Sequence, residues 1–354
     1  MPNRRTLQEA LALSDCCENQ TIIMPGDGLP DVPAGIKIVT YRQHWRLARI
    51  IKCYYLAFKS RARIYHLHDP ELLILGWCIR LFTNAAIIYD AHRPTFHYFL
   101  WKFNTDSLLA RFKAGVLKII EIIGVIFIDG LIVAAPRSLA GIGRFCRRKV
   151  WIGDYPGEIT VSSDALPDSL PIIIYGGELS HPADVNCILQ AFFQVRLELP
   201  QAVLVLTGHF SKDFLPILRV TIQDMLLEEA VILAGPAGWS AYADTAVIGL
   251  ATPNENEYFQ RGRQPEILEF LARGIPVICG RSPFTEELVA EGETGIVLPD
   301  LVPLRVSETI LSLYRQPALR AEMGCNGRRL ITAKYGRDEL KEKICKFYHS
   351  LFPA

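Results

Sequence analysis

The sequence predicts an α/β protein built from two doubly wound, Rossmann-like domains. Short apolar runs rich in β-branched residues alternate with amphipathic segments, and these runs are continuously rather than alternately hydrophobic. Such runs are typical of parallel strands that helices cover on both faces. The runs fall into two series, separated by a segment rich in Pro, Ser, Gly and Asp, and two series indicate two domains.

Bulk composition excludes several classes of protein. The chain has 354 residues, and 50% of them are hydrophobic, which is enough for two domains with real cores. A net charge of +1 gives no global electrostatic basis for binding nucleic acid. Nine scattered cysteines lack metal-ligand spacing and favour reduced thiols. The longest apolar run, at 122–128, is too short to cross a bilayer, so we expect a cytoplasmic protein.

The elements follow in order along the two series. In the first domain, residues 1–155, the predicted strands are QTIIM, GIKIVT, RIYHLH, AAIIYD and GLIVAA. Residues 156–170 are the predicted linker. In the second domain, residues 171–336, the strands are PIIIYGG, AVLVLTG, AVILAG, AVIGLAT, PVICG and GIVLP. A final helix occupies 337–354, and the pattern alone assigns it to neither domain.

Glycines end two strands of the second domain and form the first candidate site. Gly176 and Gly177 follow one strand, and Gly208 follows the next. Glycine lets a ligand approach the backbone, and the start of a following helix favours phosphate. Tight turns need glycine in any case. The helix predicted at 264–273 starts at the same sheet edge, and its Glu266 and Glu269 fit either ligand binding or a simple complement to the helix dipole.

Several segments of the chain, taken together, resemble a known family. The segments YGGELS, PEILEFLARGIPVICG, EGETGIVL and MGCNGRRLITAKY, together with IYHLHDPELLILG, YDAHR and IGDYP, are similar to family-4 retaining glycosyltransferases. The similarity runs through nearly the whole chain in order. It implies the GT-B fold, in which two Rossmann-like domains face a cleft and the C-terminal helix crosses back to the first domain.

The resemblance also implies a donor site, from which this sequence departs. Glu269 matches the family glutamate that binds the donor ribose, but the partner glutamate eight positions earlier is Arg261. Glu266 stands where many relatives have a phosphate-binding lysine. Positions 183–184 read Ala-Asp where relatives have a basic residue and glycine.

These departures change the charge beside the donor diphosphate. Glutamate in place of lysine turns an attraction into a repulsion, each about 4 kcal/mol at about 4 Å and an effective dielectric of about 20. Arg261 and Arg263 are candidates to supply the missing positive charge, because guanidinium suits phosphate bidentately.

On the acceptor side, the resemblance implies a cleft at the ends of two strands. His92 matches the family position next to the reacting sugar, and with Glu269 it is the candidate catalytic residue. The position after His92 is usually glutamate in relatives and is arginine here. For His66, packing inside a strand is the favoured interpretation, because alternate strand residues must point into the core. The candidate acceptor residues are His68, Asp69, Asp90, His92 and Arg93.

Two further features concern the first domain. The family's first, central strand and its glycine loop have no counterpart before residue 20. Residues 41–60 predict a basic amphipathic helix, which fits either an anionic membrane surface or a packed helix with a solvated basic face.

The resemblance leaves two functions open. One is retaining transfer of a sugar from a nucleotide-sugar donor to a cell-envelope polysaccharide or a lipid-linked acceptor, with no metal and no cofactor besides the nucleotide-sugar substrate. The other is a catalytically inactive partner or scaffold of an active transferase, which the altered donor residues favour.

Overall fold

The chain forms two compact units in a computed structural model. The first unit contains Met1–Tyr155 and Gly336–Ala354, and the second contains Pro156–Tyr335. Apart from Pro156, the predicted linker lies outside the described residues. The structure describes residues 4–25, 32, 35–41, 46–92, 94–102, 107–134, 142–156, 171–177, 182–208, 210, 214–235, 242–243, 245–251 and 264–351.

The second unit is built on one six-stranded parallel sheet. Its strands are β7 (Ile172–Gly176), β8 (Val203–Thr207), β9 (Val231–Ala234), β10 (Ala246–Ala251), β11 (Val277–Gly280) and β12 (Gly295–Leu298). Their order in the sheet is β12-β11-β10-β7-β8-β9, and every pairing is parallel. Chain order therefore reverses between β7 and β10, which is the doubly wound Rossmann topology.

Helices accompany this sheet and supply its core. They are α6 (Pro182–Glu198), α7 (Phe214–Asp224), α8 (Pro265–Arg273), α9 (Pro303–Tyr314) and α10 (Pro317–Lys334), with a short α-to-π helical segment over Pro283–Thr285 and Glu286–Ala290. The fully buried side chains of Phe192 and Leu204 belong to one core cluster from helix and strand. Gly274 ends α8 in the left-handed conformation, as a helix C-cap requires.

The first unit contains two parallel sheets. Strands β1 (Gln20–Pro25) and β2 (Ile36–Tyr41) form one, and β3 (Ile64–Leu67), β4 (Ala86–Ala91), β5 (Gly130–Val133) and β6 (Lys149–Trp151) form the other in that order. The helices are α1 (Arg4–Leu13), α2 (Arg46–Ser60), α3 (Leu73–Phe82), α4 (Thr95–Lys102), α5 (Leu108–Ile126) and α11 (Arg337–Ser350). Among the described residues, β1 and β3 are edge strands of separate sheets.

The predicted fold class and strands are confirmed. Each of the eleven apolar runs coincides with one of the observed strands to within two residues at either end, and the helix expected at 264–273 is α8. β6 was not predicted, because its KVW sequence is short and only half-buried. The sheets are parallel, as continuous rather than alternating hydrophobicity indicated.

A disulfide corrects the expectation of reduced thiols. Cys16, just after α1, is bonded to Cys345 on α11, with their Cα atoms 6.2 Å apart. This distance suits a disulfide. Because the two cysteines are 329 residues apart in the chain, their pairing depends on how α11 packs against α1.

Two glycines of α5 test how this helix packs against α3, because replacing them with alanine should have opposite effects on stability. A Cβ at Gly124 would lie 2.6 Å from Leu73 Cδ1, whereas a Cβ at Gly115 would meet nothing within 4 Å. Gly115→Ala should stabilise the first unit by roughly 0.5–1 kcal/mol, because alanine is the better helix former. Gly124→Ala should destabilise it by about 1–3 kcal/mol through overpacking, despite the same gain in helix propensity. Denaturant unfolding of both variants checks this. Equal stabilisation would contradict the packing of α5 on α3.

Candidate functional site

The donor-side glycines lie at the carboxyl edge of the second sheet, at its switch point. Gly177 has a φ of +154° and Gly208 a φ of +142°, values that L side chains rarely adopt. A Cβ at Gly208 would overlap the carbonyl oxygen of Gly177. These glycines therefore let the backbones after β7 and β8 approach each other at the edge where doubly wound sheets bind ligands.

The first turn of α8 lies against this glycine surface. Gln264 is the N-cap residue, Pro265 begins the helix, and Glu266 is in its first turn. A Cβ at Gly177 would be 3.7 Å from Glu266 Oε1. The structure thus brings together Gly177, Gly208 and Glu266, three of the residues predicted for the donor site. An anion here would meet the positive end of the helix dipole but also the Glu266 carboxylate.

Glu269 is one turn further along α8 and is buried at 5% exposure. Its Oε2 accepts a 2.9 Å charged hydrogen bond from Arg273 Nη1. Gln264 is also buried, and its Oε1 accepts no hydrogen bond from the described residues. Two buried polar groups therefore lie at the start of α8. They are the Glu269 carboxylate, which is paired with Arg273, and the Gln264 amide oxygen, which can accept a hydrogen bond from a ligand.

Several predicted donor and acceptor residues lie outside this description. Arg261, Arg263 and Arg93 are not among the described residues. Residues 183–184 are in α6, with only their backbone described. That Arg261 and Arg263 compensate for the negative charge of Glu266 therefore stays a prediction.

The candidate acceptor residues of the first unit gather around Asp90. Asp90 is fully buried at the end of β4, and His68 Nδ1 is 3.2 Å from its Oδ2. His92 Nδ1 is 3.3 Å from the Asp90 backbone oxygen. His66 stacks on His68 at 4.5 Å between ring centroids, and its Nδ1 is 2.8 Å from Tyr348 Oη. Parallel pairing of β3 and β4 causes this gathering.

Asp69 is separate from this group. It is exposed, and it precedes the short 3-10 turn Pro70–Leu72. The Leu72 N–H donates to its backbone oxygen. Its role in the acceptor site stays a prediction.

Sequence reasoning missed the charged groups that reach Asp90 from elsewhere. Arg5 of α1 donates to both carboxylate oxygens of Asp90, from Nε at 2.7 Å and Nη2 at 3.0 Å. It also donates to Asp154 Oδ1 at 3.2 Å, and its Nε is 3.0 Å from Glu9 Oε1. The Arg5–Glu9 spacing of four was visible in the sequence, but the position of α1 against β4 was not.

These neighbours shift the titration of the cluster. Burial opposes ionisation of Asp90, yet the Arg5 guanidinium and the His68 hydrogen bond hold its pKa well below the usual range. Burial and the Asp90 charge raise the pKa of Glu9 to about 7. Burial opposes protonation of His68, but the Asp90 hydrogen bond and the Glu9 charge raise its pKa. Burial and neighbouring His68 lower the pKa of His66.

A second surface, the α5 stripe, was also missed. The residues that define it are apolar and at least 40% exposed, and they recur every three or four positions: Leu108, Phe112, Val116, Ile119, Ile123 and Ile126. Basic Arg111 and Lys113 are exposed beside it, whereas Glu121, the acidic residue of α5, is buried. None of the helices described is both long and apolar enough to span a bilayer.

The α5 stripe continues towards the predicted basic helix. Phe127 contacts Trp77 of α3 at 5.5 Å between ring centroids, and Phe82 of α3 contacts Phe58 of α2 at 6.5 Å. The observed α2 begins at Arg46, and residues 42–45 lie outside the description. Its Ile51 and Tyr55 are exposed by 67% and 58%.

Comparison with curated proteins gives a short match. No known family profile matches the chain. A GDP-mannose-dependent alpha-(1-6)-phosphatidylinositol monomannoside mannosyltransferase of Mycobacterium tuberculosis is 34% identical over 80 residues. The match covers 23% of this chain and spans only 21% of the length of that relative.

Comparison with solved structures covers nearly the whole chain. Sucrose-phosphate synthase from Thermosynechococcus elongatus matches with a TM-score of 0.73 at 18% identity, over 98% of this chain and 92% of that one. Anabaena HepE in complex with UDP matches with a TM-score of 0.70 at 13% identity, over 94% and 100%. At such identities the likeness establishes the fold. The chain has the GT-B fold of glycosyltransferases, with two Rossmann-like domains.

Proposed function

We propose that the protein is a retaining glycosyltransferase of the family-4 type. It transfers a sugar from a nucleotide-sugar donor to a cell-envelope polysaccharide or a lipid-linked acceptor, at the cytoplasmic face of a membrane. The nucleotide sugar is the substrate, and the reaction needs no other cofactor.

The observation that carries this proposal is the meeting of Gly177, Gly208 and the start of α8 at the switch point of the second sheet. In doubly wound sheets, ligands bind outside the carboxyl ends of the strands at this point. Backbone N–H groups and helix starts there favour phosphate groups. A nucleoside diphosphate supplies phosphate groups of this kind.

Each donor-side residue has a role in the proposal. Gly176 and Gly177 let the diphosphate approach the backbone, and Glu269 binds the ribose hydroxyls. In this role Glu269 keeps Arg273 as its second partner. Arg261 and Arg263 neutralise the diphosphate and offset the carboxylate of Glu266.

The acceptor side is assigned to the first unit. His92 lies at the end of β4 with its Nδ1 3.3 Å from the Asp90 backbone oxygen, and its imidazole is assigned to the reacting sugar or its hydroxyl. His68, Asp69, Asp90 and Arg93 complete the proposed acceptor residues. The mycobacterial relative acts on a phosphatidylinositol monomannoside, according to its name. A glycolipid acceptor is therefore the chemistry we favour.

Membrane contact follows from the α5 stripe. An apolar stripe with basic residues beside it is the pattern of a helix that lies in the membrane interface. Lys52 and Lys59 of neighbouring α2 add positive charge near that surface. Each basic residue contributes about 1 kcal/mol near anionic lipid. The proposed docking face therefore joins α5 with the basic helix α2.

The donor proposal predicts nucleotide binding that depends on charge near Glu266. The wild-type protein should bind one of UDP, GDP, ADP or dTDP in a calorimetric titration. Arg261→Ala or Arg263→Ala should weaken binding by roughly ten- to a hundredfold, because a charged hydrogen bond is worth about 1.5–3 kcal/mol. Glu266→Lys should tighten it, because it replaces a repulsion with an attraction.

The matched control is Glu228→Lys, which makes the same charge change at an exposed position of the second unit and should leave affinity unchanged. If the wild type binds none of the four while Glu266→Lys binds one, the donor site has decayed and the scaffold function replaces the transferase. Absence of binding in every variant would contradict the inference from Glu269 to a nucleotide site.

The membrane proposal predicts binding to anionic vesicles. Wild-type protein should cosediment with anionic but not neutral liposomes, and added salt should weaken binding, since surface charges are screened over about 8–10 Å. The double variant Phe112→Ser, Ile119→Ser should bind at least about a hundredfold more weakly, because burying each of the two side chains is worth about 1.5–3 kcal/mol.

For comparison, Leu197→Ser, Leu226→Ser removes two apolar side chains that are 71% and 85% exposed in the second unit. This control should bind like wild type. The membrane proposal would be contradicted if both double variants lost liposome binding equally, or if the same amount of protein cosedimented with neutral and anionic liposomes. The exposed faces of α2 and α5 would then simply face solvent.

A further inference from the structure

A buried group of metal-ligating side chains lies where α1 meets the ends of β3 and β4. One potential ligand atom from each of four residues lies within 4.8 Å of the others. Two of the neighbouring pairs are close: His68 Nδ1 is 3.2 Å from Asp90 Oδ2, and His66 Nε2 is 3.7 Å from Glu9 Oε2. The residues of this histidine–carboxylate cluster are Glu9, His66, His68 and Asp90.

Three atoms of the cluster lack hydrogen bonds from the part of the chain that the structure describes. Both carboxylate oxygens of Glu9 and the Nε2 of His66 are buried without a hydrogen-bond partner among those residues. Arg5 Nε is only 3.0 Å from Glu9 Oε1, but it forms its 2.7 Å hydrogen bond with Asp90 instead. A buried carboxylate without hydrogen bonds is costly. These unsatisfied atoms point to a missing ligand.

Charge balance indicates the sign and size of that ligand. Glu9, Asp90 and Asp154 bring three negative charges to the buried Arg5, which supplies one positive charge. These four side chains therefore carry a net charge of −2 when all three carboxyls are ionised, and the neutral histidines add none. One divalent cation neutralises this sum without any proton on Glu9 or His68.

The donor set selects the kind of cation. Two imidazoles with two carboxylates suit zinc, whereas magnesium and calcium prefer oxygen ligands alone. Zinc–ligand bonds of about 2.0–2.1 Å put the ligands of a tetrahedral site roughly 3.3 Å apart. The measured separations of 3.2 and 3.7 Å are close to this value. We propose that the histidine–carboxylate cluster binds one Zn²⁺ ion.

Groups around the cluster hold its members in place. His66 Nδ1 lies 2.8 Å from Tyr348 Oη, so a proton on Nδ1 leaves the Nε2 lone pair for the ion, which both imidazoles reach once one of the stacked rings of His66 and His68 has rotated. Arg5 Nη2 holds Asp90 Oδ1 at 3.0 Å. Hydrogen bonds of this kind fix the tautomer and orientation of metal ligands.

The ion is structural in this proposal. It joins α1, through Glu9, to the ends of β3 and β4, and it holds the strand end that carries His92. His68 and Asp90 then affect an acceptor through their position rather than by contact with it. The inference does not depend on the proposed transferase function, because nucleotide binding by the second unit is measured separately.

The test uses the full chain, stripped with a chelator, with its free thiols alkylated. Co²⁺ and then Zn²⁺ are titrated at neutral pH. We expect one equivalent of Co²⁺ with the intense visible absorption of a tetrahedral site, displaced by Zn²⁺, and a melting temperature several degrees higher with Zn²⁺. Glu9→Gln and His66→Gln should each weaken Zn²⁺ binding by about a hundredfold or more.

Two variants control for unspecific effects. Glu121→Gln alters another buried carboxylate of the same unit, and His349→Gln removes an exposed histidine. Both should keep one equivalent of Zn²⁺. If a cluster variant fails to fold, the wild-type titration alone decides.

Three results would overturn the proposal. One is a stripped wild type that binds no Co²⁺ or Zn²⁺. The second is Zn²⁺ affinity unchanged in both Glu9→Gln and His66→Gln. The third is an octahedral cobalt spectrum, or thiolate-to-cobalt charge transfer, which would assign the metal to surface groups or cysteines.

Discussion

The reversal of strand order between β7 and β10 constrains where a ligand can bind in the second unit. Helices after the two strands leave the sheet in opposite directions, so the carboxyl edge stays open between them. Gly177 and Gly208 add no side chains of their own to this opening, and the backbones after β7 and β8 approach too closely for a Cβ at Gly208. The start of α8 lies beside it. The topology creates the site, and the glycines keep it accessible.

The first unit depends on a different interaction, the buried pairing of Arg5 with Asp90. This pairing holds α1 against the end of β4, where the histidines also gather, and removal of one partner from such a pair typically costs about 3–5 kcal/mol. α11 reinforces the same arrangement through the Cys16–Cys345 disulfide and the contact of Tyr348 with His66. The apolar stripe of α5 is a separate surface of this unit.

Local pattern was enough to predict most of the fold. Continuous apolar runs identified eleven strands, and Gly176, Gly177 and Gly208 were identified as strand-end residues at a common edge. Their contact with Glu266 depends on tertiary packing, which spacing alone does not encode. The roles of Arg5 and Glu9 were missed for the same reason, since α1 meets β4 across 85 residues of sequence. The α5 stripe was visible as a helical period, but the sequence does not show which side of a helix remains uncovered.

The proposed function depends on a nucleoside diphosphate binding at the switch point of the second sheet. Hydrogen–deuterium exchange, with and without a saturating nucleoside diphosphate, measures this binding at the site itself. Exchange should slow in the peptides that contain Gly176–Gly177, Gly208 and the first turn of α8, and should stay unchanged in the edge strands β9 and β12. Slower exchange confined to the first unit, or to β9 and β12, would contradict it.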